Sequence, residues 1–469
     1  MHRLLRSNWI TSTGAALMTL ATLLAATLLV MHTAGGAWTG PYVGLLLTLV
    51  VPITFVLGLV LVPLGLLLYR HQLEERLAAM TDRPLHLARA VVAITAVNFA
   101  AVGTLGYSSV HYLSSTAFCG KACHEVMEPE YVAYQRSAHQ RVECVACHVA
   151  PGAQGFVQSK LNGTKQLYGV LTDSYRRPIP TPVHDLVSAH QTCEQCHWPE
   201  KYLGTKIKVK PHYREDEAVS SYVNVLLMYT GGTRPDGESV GIHWHVHPEA
   251  KVEYYADDER RLSIPWMRVV KPDGSHEVFA TAKHGFEPPP DAALRTMDCN
   301  DCHNRSAHAF ELPGQALDDA IAAGLIPRDL PFVKQRALAA LTAEWTRDGA
   351  ADGIRQHLQR AYADAGLDRD TLDRVERAAA EVASIWLRNV WPDRKLDWNS
   401  YPDLATHTGC FRCHDGKHVS EDGRVLFGPV PGADGAVLND GDASCARCHR
   451  VLSQNEDNPA ILKTFGIHR

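Results

Sequence analysis

Twelve cysteines form six pairs in this chain, and a histidine follows the second cysteine of every pair. The six sets are Cys119/Cys123/His124, Cys144/Cys147/His148, Cys193/Cys196/His197, Cys299/Cys302/His303, Cys410/Cys413/His414 and Cys445/Cys448/His449. Five have the C-x-x-C-H spacing of c-type haem attachment. Two thiols bind one porphyrin through thioethers, and the adjacent histidine becomes an iron ligand. No cysteine is left for a disulfide network or a zinc site, so the sequence predicts a multihaem electron carrier.

The first motif has one extra residue and reads C-x-x-x-C-H, which changes the offset between the thioethers and His124. Met127 lies three residues further on. Either His124 binds iron as usual and Met127 only packs, or Met127 is a ligand and raises the reduction potential. We expect six haems, or five if the extra residue prevents attachment.

Each electron-transfer haem needs a second axial ligand in addition to the histidine of its motif. Seven histidines are the candidates for this distal position. Five lie close to a motif in sequence, namely His139, His184, His308, His407 and His418. The other two, His243 and His245, belong to the run His243-Trp-His245-Val-His247. His243 and His245 alternate with Trp244, which would place both on one face of a strand. Any one of the seven could instead be an ordinary polar residue.

Three apolar stretches, at about 10–30, 42–68 and 90–112, are long enough to cross a bilayer. The loop between the second and third carries four arginines, whereas residues 33–40 carry no Lys or Arg. The positive-inside rule then places the N-terminus in the cytoplasm and the residues after 113 in the periplasm. Haem is attached on that side of a bacterial inner membrane, so the two arguments agree. A cleaved signal peptide is the alternative for the first stretch.

We therefore predict a membrane-anchored multihaem cytochrome c with three transmembrane helices and a mainly helical, irregular haem domain. The predicted parts are an anchor (1–113), a trihaem domain (114–204), a β-rich insert with the fourth haem (205–313), a helical scaffold (314–395) and a dihaem segment (396–469). Alternating residues at 252–255 and 266–270 indicate strands in the insert, and helical periodicity at 337–345 and 372–382 indicates the scaffold. The formal net charge of −5 argues against nucleic acid as a partner.

Between about Phe118 and Tyr202 the chain resembles the NapC/NirT family of membrane-anchored multihaem quinol dehydrogenases. The resemblance rests on Cys123-His-Glu-Val-Met127, Tyr134-Gln-Arg-Ser-Ala-His139, Val142-Glu-Cys-Val-Ala-Cys-His148, Lys160-Leu-Asn-Gly-Thr-Lys-Gln-Leu-Tyr168 and Cys193-Glu-Gln-Cys-His197. Within this family the chain looks most similar to the three-span inner-membrane cytochromes of metal-respiring bacteria. It departs from the common pattern of a single anchor helix and a C-x-x-C-H-x-M motif.

The resemblance implies that quinol is oxidised beside the first haem. Family quinol sites commonly have a lysine and an acidic residue after the second motif. Lys160 and Lys165 fit, although Gln166 stands where an acid is expected. His111, eight residues before Cys119, is a further candidate for this pocket.

We expect a quinol:cytochrome c-type oxidoreductase that passes electrons from menaquinol to periplasmic c-type cytochromes in anaerobic or extracellular respiration. One alternative is a membrane-tethered relay without its own quinol site. The other is a nitrite- or hydroxylamine-type reductase, which would need a haem with an open axial position.

Overall fold

The computed structural model describes most of the chain after residue 110 and parts of the N-terminal region. The described residues are 9–33, 50–69, isolated positions between 89 and 108, 110–122, 124–183, 186–198, 204–233, 239–247, 251–363, 368–426, 430–431, 437–438 and 446–467. The chain forms two compact units. Residues 1–131 with 143–145 make the first unit, and residues 132–142 with 146–469 make the second.

Two apolar helices pack together in the first unit, α1 (Trp9–Thr33) and α2 (Val51–Leu68). Their backbones approach at two glycines, since a Cβ on Gly58 would lie 2.6 Å from the carbonyl oxygen of Gly14. Small residues at a crossing point allow this close packing of membrane helices. Threonine hydroxyls on α1, such as that of Thr19, donate to the carbonyl one turn earlier (2.8 Å to Ala15) and so satisfy their own polarity.

Among the described residues, one helix is long and apolar enough to cross a membrane, namely α2. Residues Trp9–Ala25 of α1 form a shorter apolar run. The third predicted span falls mostly outside the described residues. The three-span anchor is thus confirmed only as far as this one candidate span.

Four helices lie at or near the first three motifs. They are α3 (His124–Gln135), α4 (Cys144–His148), α5 (Gly152–Leu171) and α6 (Ala189–Thr192). The third motif begins in the 3-10 turn Cys193–Gln195, directly after α6. A π-helical turn, Phe118–Ala122, precedes α3 and contains the extra residue of the first motif. A π-turn holds one more residue than an α-turn, which is how a helix absorbs a single insertion.

Two antiparallel sheets follow. The strands are β1 (Gly204–Tyr213), β2 (Ser221–Thr233), β3 (Ser239–Val240), β4 (Lys251–Tyr255), β5 (Trp266–Val270), β6 (His276–Thr281), β7 (Arg295–Thr296), β8 (His418–Ser420), β9 (Val430–Pro431), β10 (Val437–Leu438) and β11 (His449–Glu456). The first sheet has the order β1-β2-β11 with β3 on β2, and the second has the order β7-β4-β5-β6-β8. Strands β9 and β10 pair separately. Each sheet thus takes one strand from the C-terminal segment.

A helical scaffold separates the fourth and fifth motifs in sequence. Its helices are α7 (Pro313–Ala322), α8 (Val333–Thr342), α9 (Ala350–Ala363) and α10 (Arg369–Asn389). On α10 the buried apolar positions recur at helical spacing, for example Val375, Ala379, Val382 and Trp386. The fifth motif begins in α11 (His407–Cys410), and α12 (Ala460–Thr464) lies near the C-terminus.

Candidate haem-binding sites

Five motif histidines each face a second histidine within the second unit. The distances between ring centroids are 6.0 Å for His148–His308, 6.1 Å for His197–His139, 6.3 Å for His303–His243, 5.8 Å for His414–His245 and 5.9 Å for His449–His407. All five motifs with C-x-x-C-H spacing show such a pair.

This separation fits one metal ion between two imidazoles. A histidine nitrogen lies about 2.0 Å from a bound transition metal, and that nitrogen is about 1.1 Å from the centre of its ring. Two imidazoles on opposite sides of one ion therefore have centroids about 6 Å apart. The five pairs thus have residue types and a spacing that fit haem iron between them, and the adjacent cysteines are the candidates for porphyrin attachment.

The cysteines predicted to bind porphyrin differ in their exposure. Cys147 and Cys196 are exposed and Cys448 is half-buried, whereas Cys413 is buried. The spacing of the motifs is the same in these cases, so it could not predict the exposure of each thiol. An exposed thiol still suits attachment, because a porphyrin bound there would itself cover the sulfur. Thioether formation at Cys147, Cys196 and Cys448, as at the other motif cysteines, stays a prediction from the spacing of the motifs.

A helical turn within the motif sets the first cysteine and the histidine side by side. In the third motif the amide of His197 donates to the carbonyl of Cys193 (2.8 Å), and Cys196 closes the same turn with a bond of 3.1 Å to that carbonyl. The sixth motif is held differently, since the carbonyl of Cys448 accepts from the amide of Tyr229 on β2 (2.8 Å). The sixth motif is thus fixed by the first sheet.

His243 and His245 lie on a 3-10 turn, Ile242–Val246, and not on the strand that the alternating pattern predicted. Nδ1 of His243 donates to the carbonyl oxygen of Thr230 (2.9 Å), and Nδ1 of His245 donates to that of Ile242 (3.0 Å). A carbonyl only accepts, so the proton is on Nδ1 and the lone pair is on Nε2. Both rings thereby present Nε2 as the metal-binding atom.

His139 lies in the loop after α3. The Tyr134 hydroxyl fixes this loop by donating to the carbonyls of Gln140 (2.7 Å) and Val142 (3.0 Å). Nδ1 of His139 contacts the carbonyl oxygen of Ser306 at 3.4 Å. This places the loop before the second motif beside the turn after the fourth motif.

His407 and His308 each lie beside one motif in sequence but pair with the histidine of another. His407 is next to the fifth motif and pairs with His449 of the sixth, and His308 is next to the fourth and pairs with His148 of the second. His407 begins α11, three residues before Cys410, and its ring stacks on Phe411 with centroids 4.9 Å apart. His308 follows His303 by five residues, and its amide donates to the Arg305 carbonyl (3.2 Å). These two distal candidates thus come from segments next to another motif, which brings the motifs concerned together.

Two other predicted ligands are not found in such pairs. His418 is 1% exposed, and both of its ring nitrogens are hydrogen-bonded, Nδ1 to Asp415 (2.8 Å) and Nε2 to the carbonyl of Ile264 (2.7 Å). This arrangement argues against His418 as an iron ligand, because it leaves no ring nitrogen for a metal. His184 lies outside the described residues.

The first motif is described only in part. A Cβ on Gly120 would overlap the ring of Tyr131, so the π-turn requires glycine at this position. The Cys119 thiol hydrogen-bonds to Cys144, and this contact lowers the pKa of the Cys144 thiol to about 6. The first and second motifs therefore meet at these thiols. Cys123, Cys445 and the side chain of His124 lie outside the described residues, and Met127 is half-buried on α3.

Burial sets the charge state of the other sites. It lowers the pKa values of His243, His245, His303 and His449, which favours the neutral imidazole that binds metal. It raises the pKa values of motif thiols, to about 11 for Cys302 and about 12 for Cys413. These sites disfavour thiolate and suit the uncharged thioether.

The four predicted quinol-site residues lie in different units. His111 is exposed in the first unit, where its ring is parallel to that of Tyr107 at 5.9 Å. Lys160, Lys165 and Gln166 lie on α5 in the second unit, and the ammonium of Lys160 is 4.9 Å from the centre of the Phe156 ring.

Most of α5 faces away from the protein core. Its exposed apolar residues are Phe156, Val157, Leu161, Tyr168, Val170 and Leu171. The only charged residues of this helix are its two lysines. Val157, Leu161, Tyr168 and Leu171 recur at helical spacing, so the sequence could have predicted this apolar face. The quinol site predicted from the sequence contained only the polar residues of this segment.

Repeated cysteine-pair motifs with histidines on both sides of a metal-sized gap define a multihaem c-type cytochrome. A model of the NapC/NirT cytochrome c family, N-terminal region, matches residues 83–179. The chain is 35% identical to the cytochrome c-type protein ImcH of Geobacter sulfurreducens over 439 residues, covering 89% of this chain and 83% of that protein. The chain belongs to the NapC/NirT cytochrome c family.

Two further relatives match a shorter part. The cytochrome c-type proteins TorC of Escherichia coli K12 and of Escherichia coli O157:H7 are each 35% identical over 85 residues, covering 17% of this chain and 21% of those proteins. No solved structure matches the chain. The family supports electron transport by covalently bound haem c at a membrane.

Proposed function

We propose that this protein is an inner-membrane quinol dehydrogenase that transfers electrons from menaquinol through six c-type haems to periplasmic c-type cytochromes. The observation that carries the proposal is the set of five histidine pairs, each with a gap for one metal ion. Two protein ligands per iron leave no position for a substrate. The cofactor then supplies one-electron transfer, and the chain supplies position and axial ligands.

The paired histidines support the dehydrogenase over the reductase alternative. A nitrite- or hydroxylamine-type reductase needs an iron with one open position. In the five pairs of the described chain, both sides of the gap hold an imidazole. Only the first motif, whose ligands are not fully described, departs from this pattern.

We assign the quinol site to the exposed face of α5, and His111 stays a candidate from the sequence alone. A menaquinol is an apolar molecule with two hydroxyl groups, so its pocket needs an apolar wall and a few polar atoms. Leu161 and Tyr168 would supply the wall, and Lys160, Lys165 and Gln166 would hold the hydroxyl oxygens. Three spans with the N-terminus in the cytoplasm complete the proposed topology and place the motifs in the periplasm.

Anaerobic mixing of the oxidised, purified protein with a reduced menaquinol analogue tests the proposal through the c-haem absorbance. We expect fast reduction that slows in Lys160→Met and Lys165→Met. The matched control is Lys271→Met, an exposed lysine in the turn between β5 and β6. No reduction of wild-type protein that dithionite does reduce would reject the dehydrogenase and leave the relay.

A further inference from the structure

Arg412 lies between the two cysteines of the fifth motif and is 7% exposed. All of its hydrogen bonds go to backbone carbonyls. Nε donates to Gly409 (2.9 Å), Nη1 donates to Arg261 (2.9 Å) and Nη2 donates to Asp301. Since Asp301 lies between Cys299 and Cys302, this guanidinium joins the fifth motif to the fourth.

Two carboxylates at the fourth motif, those of Asp298 and Asp301, are paired with arginines other than Arg412. Asp301 accepts from Nε of Arg295 (3.1 Å) and lies 3.6 Å from Nη1 of Arg261. Asp298 lies 3.3 Å from Nη2 of Arg295. The cluster therefore has three guanidinium groups and two carboxylates, which leaves one positive charge.

That excess charge is best assigned to Arg412, because its hydrogen bonds in the described chain reach no carboxylate. A buried cation without a paired anion carries a desolvation cost that is seldom retained without a use. The charge lies beside both motifs, since the Arg412 guanidinium donates to the carbonyl of Gly409, next to Cys410, and to that of Asp301, next to Cys302.

We propose that Arg412 is a positioning charge that raises the reduction potentials of two haems, those attached at the fourth and fifth motifs. Reduction adds one electron to a site and removes one unit of its positive charge. A fixed cation close to the site opposes the oxidised state and so favours reduction. The inference rests on haem attachment at these motifs, but it does not depend on the quinol as donor.

Potentiometric titration of the whole purified protein with chemical mediators tests this role, followed by haem absorbance. In Arg412→Gln we expect two of the six haems to have lower potentials. At a fixed applied potential their oxidised-to-reduced ratio should rise about tenfold, the order expected for one partly screened charge inside a protein. Arg412→Lys keeps the charge and should remain close to wild type.

Arg374→Gln is the control for loss of an arginine, because Arg374 forms a surface ion pair with Asp329 on the helical scaffold. The Arg374→Gln variant should leave the reduction potentials of all haems unchanged. Unchanged potentials in Arg412→Gln with six haems by intact mass would overturn the proposal. Equal shifts in the Gln and Lys variants would also overturn it, since geometry and not charge would then be responsible.

If Arg412→Gln does not assemble, Arg261→Gln removes a positive charge from the same cluster but leaves the carbonyl that accepts from Arg412. The potentials of the same two haems should then decrease, and no decrease would reject the proposal. Because mediators replace quinol throughout, failure of quinol oxidation leaves this result unaffected.

Discussion

Which nitrogen of a histidine carries the proton decides whether the ring can bind a metal. Nδ1 of His245 donates to a carbonyl, which leaves the lone pair on Nε2, and the centroid of this ring lies 5.8 Å from that of His414. In His418 both nitrogens are hydrogen-bonded within the protein core. Both histidines were candidate ligands by sequence, so only the structure separates a candidate ligand from a buried structural residue.

We expect His245→Met to raise the potential of one haem, because a methionine ligand favours the reduced iron relative to histidine. Mediated titration of the purified protein measures the shift. His418→Gln is the matched control and should leave all potentials unchanged while it lowers the melting temperature. A changed haem spectrum in the His418 variant would show that our choice of ligand is wrong.

The carboxylate of Glu311 should make the free energy of unfolding depend on pH. Burial alone would raise its pKa, but the hydrogen bond and charge of Arg388, with Arg136 and Asn389, lower it below the ordinary value. A lowered pKa in the folded state means that the ionised carboxylate stabilises the fold above the unfolded pKa. This stabilisation disappears as the pH falls through the lowered pKa.

Glu311→Gln should therefore reduce the melting temperature by a few degrees at pH 7, the effect of losing about 1 kcal/mol or more of charge-assisted hydrogen bonding. The difference from wild type should shrink as the pH falls below about 4, the ordinary pKa of a glutamate. Thermal unfolding followed by circular dichroism across this range measures it. A difference that grows on acidification would contradict the sign of the pKa shift.

At the scale of elements, the π-turn Phe118–Ala122 shows how the chain accommodates the longer first motif. An α-turn with one added residue would rotate His124 away from the cysteines, whereas a π-turn takes up the insertion within one turn. Gly120 makes this turn possible because the Tyr131 ring occupies the space of a Cβ. We infer that the first motif is built to hold a haem.

Gly120→Ala should destabilise this turn by about 1–3 kcal/mol through overpacking. We expect a smaller fraction of protein with the first haem, measured by intact mass. Gly163→Ala on α5 is the matched control, since a Cβ there meets nothing within 4 Å. It should be neutral or stabilising by up to about 1 kcal/mol. Equal haem loss in both variants would reject the argument.

The sheets and helices of the second unit were only partly predictable. Helical periodicity in the sequence indicated the scaffold. On α10 the buried face contains Val375, Ala379 and Trp386. Alternation indicated strands such as β4 and β5. Sequence patterns are local, however, and did not indicate that β8 and β11, from the C-terminal segment, would complete the two sheets. The run around Trp244 also alternates, yet its side chains follow a 3-10 turn.

Over the whole molecule, the histidine pairs arrange the motifs into a connected series. His139, before the second motif, pairs with the third, and His308, after the fourth, pairs with the second. The motifs themselves were evident from spacing, but the pairing was not, because each pair joins segments far apart in sequence. A distal histidine that comes from a segment next to another motif would make the assembly of one site depend on the other.

The number of haems is the property of the whole molecule that the proposal most needs. All five C-x-x-C-H motifs have a paired histidine, and the first motif has a π-turn that suits its extra residue. We expect the intact mass of the purified protein to correspond to six haems. Replacement of Cys119 together with Cys123 by alanine should remove one haem and abolish quinol-driven reduction, because the proposed function makes the first site the one that receives electrons from quinol. Replacement of Cys410 and Cys413 should also remove a haem, but the remaining haems should still be reduced by quinol. Five haems in the wild-type protein would instead make the second motif the entry point for electrons.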